Sequence, residues 1–185
     1  MLFPVLSILE VTLHSIFALI TKSGSMEFQY NYKIPSFFLR VALSVPYLWF
    51  VSDRLGFLGA HGQPHTGWGD WQHFMEYAAQ TMSFVPGSLV PAFAVIATVC
   101  ELGFGLLLLT GSFTRVAAIG SGTLSLLFAI SMAISFGIES PLGYSVFTVS
   151  ASSFLLAAIP EYKWSVDEWF LKNQHPDQPI KNRIA

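Results

Sequence analysis

The sequence predicts an all-α integral membrane protein built as a four-helix transmembrane bundle, with a candidate fifth membrane helix at its N-terminus. Three observations point there. Of the 185 residues, 53% are hydrophobic and only 11% charged, with a mean hydropathy of +0.57. A soluble domain carries roughly 25% charged residues, and a water-exposed globule of this composition would leave large apolar patches bare. The charges also fall so as to leave long uncharged intervals: 24 residues between Glu76 and Glu101, 23 between Arg115 and Glu139, and 21 between Glu139 and Glu161. Finally, small residues recur every fourth position at Ala117, Ser121, Ser125, Ala129, Ala133 and Gly137. On a helix they form one stripe along which another backbone can approach closely, the usual means of packing helices in lipid.

Soluble enzymes, nucleic-acid binders and disordered tails are excluded by the same arithmetic. A formal charge of −2 offers no basic footprint for nucleic acid. The single cysteine, Cys100, rules out an internal disulfide and any dithiol pair of the CxxC kind. The start, Met1-Leu2-Phe3-Pro4, lacks the basic region of a cleaved secretory signal.

A helix needs about 20 apolar residues to cross the hydrocarbon. The expected spans are Pro35–Asp53, Ser88–Thr110, Arg115–Ile138 and Leu142–Ile159, punctuated by Gly111-Ser112 and Ser140-Pro141. Three regions follow. Residues 1–35 form an N-terminal apolar segment and cytoplasmic linker. Residues 36–160 form the membrane domain, with an outward loop at 56–87. Residues 161–185 form a cytoplasmic interfacial helix, over about Trp164–Lys172, and a loose tail. Eight basic residues (Lys22, Lys33, Arg40, Arg115, Lys163, Lys172, Lys181 and Arg183) then lie inside and only Arg54 outside, the asymmetry of the positive-inside rule. The segment from Leu2 to Ile20 is apolar but carries Glu10 and His14. It reads as a fifth helix, an interfacial segment, or an upstream extension with Met26 as the start.

Glu101, near the middle of the second span, is the first candidate for chemistry, because a carboxylate at that depth is costly and marks a functional or pairing position. Arg40, Asp53 and Arg54 on the first span, with Arg115 at the start of the third, are candidate ligand contacts, the plainer reading of the first-span residues being interfacial anchoring. Arg40 and Arg54 are 14 residues apart, about 21 Å along a helix at ~1.5 Å per residue, so they serve opposite ends. Anchoring is the favoured reading of Arg54, with a bend back toward Glu101 as the alternative, and Pro46 between the two arginines is expected to kink the first span. In the outer segment His61, His65, His73 and Glu76 are weak metal candidates. The competing reading there is an amphipathic helix, with Trp68, Trp71, Met75, Ala78 and Met82 at helical spacing.

The run from Arg40 to Arg54 and the run Glu101-Leu-Gly-Phe-Gly-Leu-Leu-Leu-Leu-Thr-Gly111-Ser-Phe-Thr114-Arg115 together resemble the DoxX family of small four-helix bacterial membrane proteins. That family has an arginine opening the first helix, a basic residue closing it, a glutamate in the second, then a leucine-rich run, a glycine and a Thr-Arg pair. The resemblance covers about Ser36 to Ile159. It implies a bacterial cytoplasmic (inner) membrane protein with redox associations, since one relative belongs to a thiosulfate:quinone oxidoreductase. The expectation is therefore a redox-associated, quinone-linked subunit or accessory. Glu101 would meet a quinone-like ligand, with Arg54 or Arg40 beside it, and a protein partner would supply the redox chemistry. The alternatives are a non-catalytic membrane anchor or assembly partner for a soluble enzyme, and a small-solute or lipid-handling membrane protein.

Overall fold

The computed structural model describes residues 32–174; Glu10, His14, the candidate N-terminal helix and the tail beyond 174 lie outside them. Seven helices and no strand occur among the described residues: α1 (Lys33–Arg54), α2 (Trp71–Thr81), α3 (Val90–Thr110), α4 (Thr114–Phe136), α5 (Glu139–Gly143), α6 (Val146–Ala158) and α7 (Val166–Gln174). Of these, α1, α3 and α4 are long and apolar enough to cross a membrane, and α6 is a shorter apolar helix. The four run alternately between an end marked by Arg40 and an end marked by Arg54. The loop after α1, α2 and α5 lie at the Arg54 end, and α7 lies at the Arg40 end.

The expected fourth span is broken. Instead of one helix over Leu142–Ile159, α5 stops at Gly143, Ser145 takes a left-handed conformation (φ 56°), and α6 restarts at Val146. At 1.5 Å per residue a 13-residue helix reaches only about 20 Å, so α5 and its turn complete that wall of the bundle. An uncharged interval sets an upper limit on a helix and leaves such a break unmarked.

The bundle is apolar outside and mixed inside, where serines join an apolar cluster of Leu43, Leu108, Ala117, Ala118 and Leu156. Val95, Ile96, Val99, Leu106, Val116, Ile119, Ile130 and Leu155 are exposed, while Ser36, Ser44, Ser121, Ser125, Ser150 and Ser153 are buried. Lipid offers no hydrophobic drive between helices, so close approach and hydrogen bonds replace it. The expected stripe does this on α4: Ala117, Ser121, Ser125 and Ala129 are buried, whereas Gly137 lies past the helix end. The Tyr47 hydroxyl donates to the Ser121 carbonyl at 3.0 Å and lies 2.7 Å from Ser125 Oγ, tying α1 to α4. Ser150 Oγ donates to the Gly122 carbonyl at 2.8 Å, tying α6 to α4. Gly105 lets α3 close on Tyr47 and Leu48, where a Cβ would stand 2.9 Å from Leu48 Cδ2. Gly103, two residues earlier on α3, faces open space. Pro46 does not interrupt α1, which runs helical from Lys33 to Arg54.

Candidate functional site

The Arg54–Glu101 pair is the polar centre of the bundle. Glu101 lies on the inward face of α3, one turn beyond Thr98. Arg54 is the last residue of α1 and lies alongside this part of α3. Its Nη1 is 2.6 Å from Glu101 Oε2, with both side chains almost wholly buried, and it donates to Thr98 Oγ1 at 2.8 Å. Its Nε donates to the Phe50 carbonyl at 3.2 Å. The guanidinium carbon lies 4.1 Å from the Phe74 ring centroid and 5.2 Å from that of Trp68, so two aromatic faces close over the cation. Interfacial anchoring does not describe this residue: it is enclosed.

The enclosing lid comes from the outer segment. α2 packs Phe74 and Ala78 against Val90 and Ala94 at the start of α3. The amphipathic helix is present: Ala78 is buried with Phe74 and Thr81, and the other expected residues, Trp68, Trp71, Met75 and Met82, are half-buried against the same cluster. Asp53, next to Arg54 in sequence, points into the preceding loop. Its carboxylate accepts from Gly67 N at 3.2 Å and Trp68 N at 2.8 Å. A Cβ on Gly67 would fall 2.9 Å from Asp53 Oδ2, which explains the glycine. Adjacent residues at one helix end therefore hold the lid (Asp53) and the core (Arg54). Asp53→Ala is expected to speed hydrogen exchange at the Gly67 and Trp68 amides by roughly 10- to 100-fold, from about 1.5–3 kcal/mol per bond to a charged acceptor, leaving the amides of α4 unchanged. Amide exchange resolved along the chain checks this.

The histidines serve the lid. His61 and His73 stack with ring centroids 3.6 Å apart and planes 6° from parallel. His61 Nδ1 lies 3.0 Å from the Trp68 carbonyl, and His73 Nδ1 lies 2.8 Å from Asp70 Oδ2. A metal bound by both rings would have to lie in both ring planes, and two near-parallel planes offer no such point. His65 and Glu76 are exposed. Among the described residues no group of three or more His, Cys, Asp or Glu is arranged to hold a metal ion. Asp70 caps α2 through His73 N at 2.9 Å, and that amide, with the His73 ring, holds its carboxyl below the ordinary value.

At the opposite end Arg40 is fully buried rather than drawn out to the surface as an anchor. Its Nη2 donates to the carbonyls of Lys163 (3.2 Å) and Trp164 (2.8 Å), and its Cζ lies 5.6 Å from the Phe37 ring centroid. Gly111, at φ 71°, presses directly against Nη1, in the space a side chain would take. The sequence reading missed Asp167, whose carboxylate accepts from Phe113 N and Thr114 N, both at 2.8 Å, at the start of α4. Asp167 N returns a bond to the Gly111 carbonyl at 3.0 Å. This clasp joins α7 to the bundle. In sequence Asp167 reads as the polar face of a surface helix, and nothing local distinguishes it from Glu168. Arg115 is exposed beside Tyr162, whose phenol burial chiefly pushes up, so its hydroxyl stays a neutral donor to the Leu156 carbonyl at 3.1 Å.

The structure thus brings Arg54 and Glu101 together, and sets Asp53, Arg40 and Arg115 to separate tasks. In comparisons with known proteins, the DoxX family model matches residues 63–135. That stretch holds the end of the lid loop, α2, α3 and nearly all of α4, with Glu101, Thr114 and Arg115, and leaves Arg40, Asp53 and Arg54 outside. No curated protein and no solved structure matches the chain.

Proposed function

We propose, from the DoxX-family membership that the match over residues 63–135 supports, that this multi-pass membrane protein is a redox-associated accessory subunit that anchors or assembles a partner enzyme at the membrane. The electron-carrying chemistry belongs to the partner. The observation that carries this reading is the closed Arg54–Glu101 pair: both charges are spent on each other, on Thr98 and on the Phe50 carbonyl, under the Phe74 and Trp68 rings. In lipid such a pair fixes how helices meet. The eight-to-one split of basic residues supports placing the Arg40 end and α7 on the cytoplasmic side of a bacterial inner membrane, where a soluble enzyme would dock.

The quinone-linked reading makes Glu101 the contact for a quinone carbonyl. That role requires Arg54 to release the carboxylate, Glu101 to take up a proton so that it can donate to the carbonyl, and the lid to open. Trp68 stands close enough to Arg54 to report the difference. A short-chain quinone is titrated into the purified chain while tryptophan fluorescence is followed. The accessory reading expects only non-saturable quenching, identical in Glu101→Gln. Saturable quenching of the wild type that Glu101→Gln abolishes while keeping its helical circular dichroism would move the assignment to a quinone site.

A further inference from the structure

A cavity of about 300 Å3 opens at the Arg40 end, between the first turn of α4 and the chain from Pro160 to Lys172. It is remote from the Arg54–Glu101 pair, and the accessory reading does not use it. Three cations and three carboxylates line it: Arg115, Lys163 and Lys172, with Glu161, Asp167 and Glu168. Most are committed to one another. Lys163 Nζ pairs with Glu161 at 2.9 Å and with Glu168 at 3.5 Å, Lys172 Nζ pairs with Glu168 at 3.0 Å, and Asp167 is taken by the amides of Phe113 and Thr114. Those lysines help hold the Glu168 carboxyl below its ordinary value, against the opposing effect of burial. Arg115 has no described carboxylate within ion-pair distance, and its side chain is left to the Tyr162 hydroxyl. Beside it Thr114, another lining residue, buries a hydroxyl that has no hydrogen-bond partner.

The position identifies the ligand. Arg115 is the second residue of a membrane-crossing helix, at the level where hydrocarbon gives way to headgroups. The remaining wall is apolar, with Phe113, Val116 and Leu171 all exposed. Phe113 is held outward at φ 47° because its amide is tied to Asp167. Glu161 and Glu168 answer Lys163 and Lys172, and Asp167 is held by two amides within electrostatic reach of Arg40. A singly charged phosphodiester therefore meets the remaining lining cation, Arg115, whereas a doubly charged free phosphate carries one charge more. We infer that this cavity is a binding site for the headgroup of an anionic glycerophospholipid, its phosphodiester on Arg115 and its acyl chain running past Phe113 and Val116. The inference goes beyond the accessory reading and does not rest on it.

The test uses the full chain, purified in a non-ionic detergent, and follows thermal stability and retained lipid by native mass spectrometry. Phosphatidylglycerol is expected to raise Tm saturably and to be retained as a single adduct. Arg115→Gln is expected to weaken that response at least about tenfold, the loss of one charge-assisted contact worth ~1.5–3 kcal/mol. Arg115→Lys, which keeps the charge without the fork, is expected to weaken it only partly and provides the reading if Arg115→Gln fails to accumulate. Inorganic phosphate and a diacylglycerol lacking phosphate are expected to do nothing. Equal phosphatidylglycerol binding by the wild type and both variants, an equal effect of inorganic phosphate, or equal retention of diacylglycerol would each overturn the proposal.

Discussion

Glu101→Gln is expected to destabilise the bundle by about 3–5 kcal/mol, the usual cost of stripping one partner from a buried ion pair. The guanidinium of Arg54 then stays buried with Thr98, Phe50 and two aromatic rings but no counter-charge. Arg54→Met is expected to cost less. A carboxyl group left alone has a neutral form available to it, and a guanidinium has none. Tm in detergent, with the yield of monodisperse protein, checks both values and their order. Equal effects of the two substitutions would show that the charges matter less than the side-chain volumes.

The second large effect is expected at the other end. Gly111→Ala places a methyl group against Arg40 Nη1 and within 2.5 Å of Ser165 Cβ, at a φ of 71° that L-residues adopt at a cost. The backbone strain alone is worth about 1–2 kcal/mol. Arg40 must also shift, and its bonds to the Lys163 and Trp164 carbonyls are the ones that hold the chain leading into α7. Detachment of that segment is therefore the expected phenotype, read as new protease cleavage between about residues 160 and 174. Asp167→Ala should expose the same sites by removing the clasp on Phe113 and Thr114. Protection unchanged in both variants would mean that α7 is held by something other than these contacts.

Much of this architecture is legible in the residues because the membrane makes charge conspicuous. A carboxylate in an otherwise uncharged interval marked Glu101, while its partner Arg54 read first as an interfacial anchor, with the pairing only as the alternative. The four-residue period of Ala117, Ser121, Ser125 and Ala129 marked the packing face, since small side chains in lipid have little other use. What stayed hidden was carried by the backbone. The partners of Arg40 are two main-chain carbonyls 123 and 124 residues away, which leave no mark on the sequence. The break between α5 and α6 depends on a left-handed serine, a conformation no serine advertises. Asp53 reads as an interfacial anchor because the groups that donate to it are loop amides rather than a countercharge. The lid helix was legible with most of its apolar face, which lacked only Phe74, the ring that meets Arg54.

The reading of Arg54–Glu101 as a structural lock is tested most directly by the doubly apolar variant, Arg54→Met with Glu101→Met, measured for membrane accumulation and for rescue of a deletion strain under oxidative stress. Replacing both partners of a buried pair with apolar groups of similar volume is often neutral or stabilising. The double variant is therefore expected to accumulate better than Glu101→Gln alone and to restore growth as the wild type does. A double variant that accumulates normally and yet fails to restore growth would contradict the lock, and would make these two charges part of the chemistry.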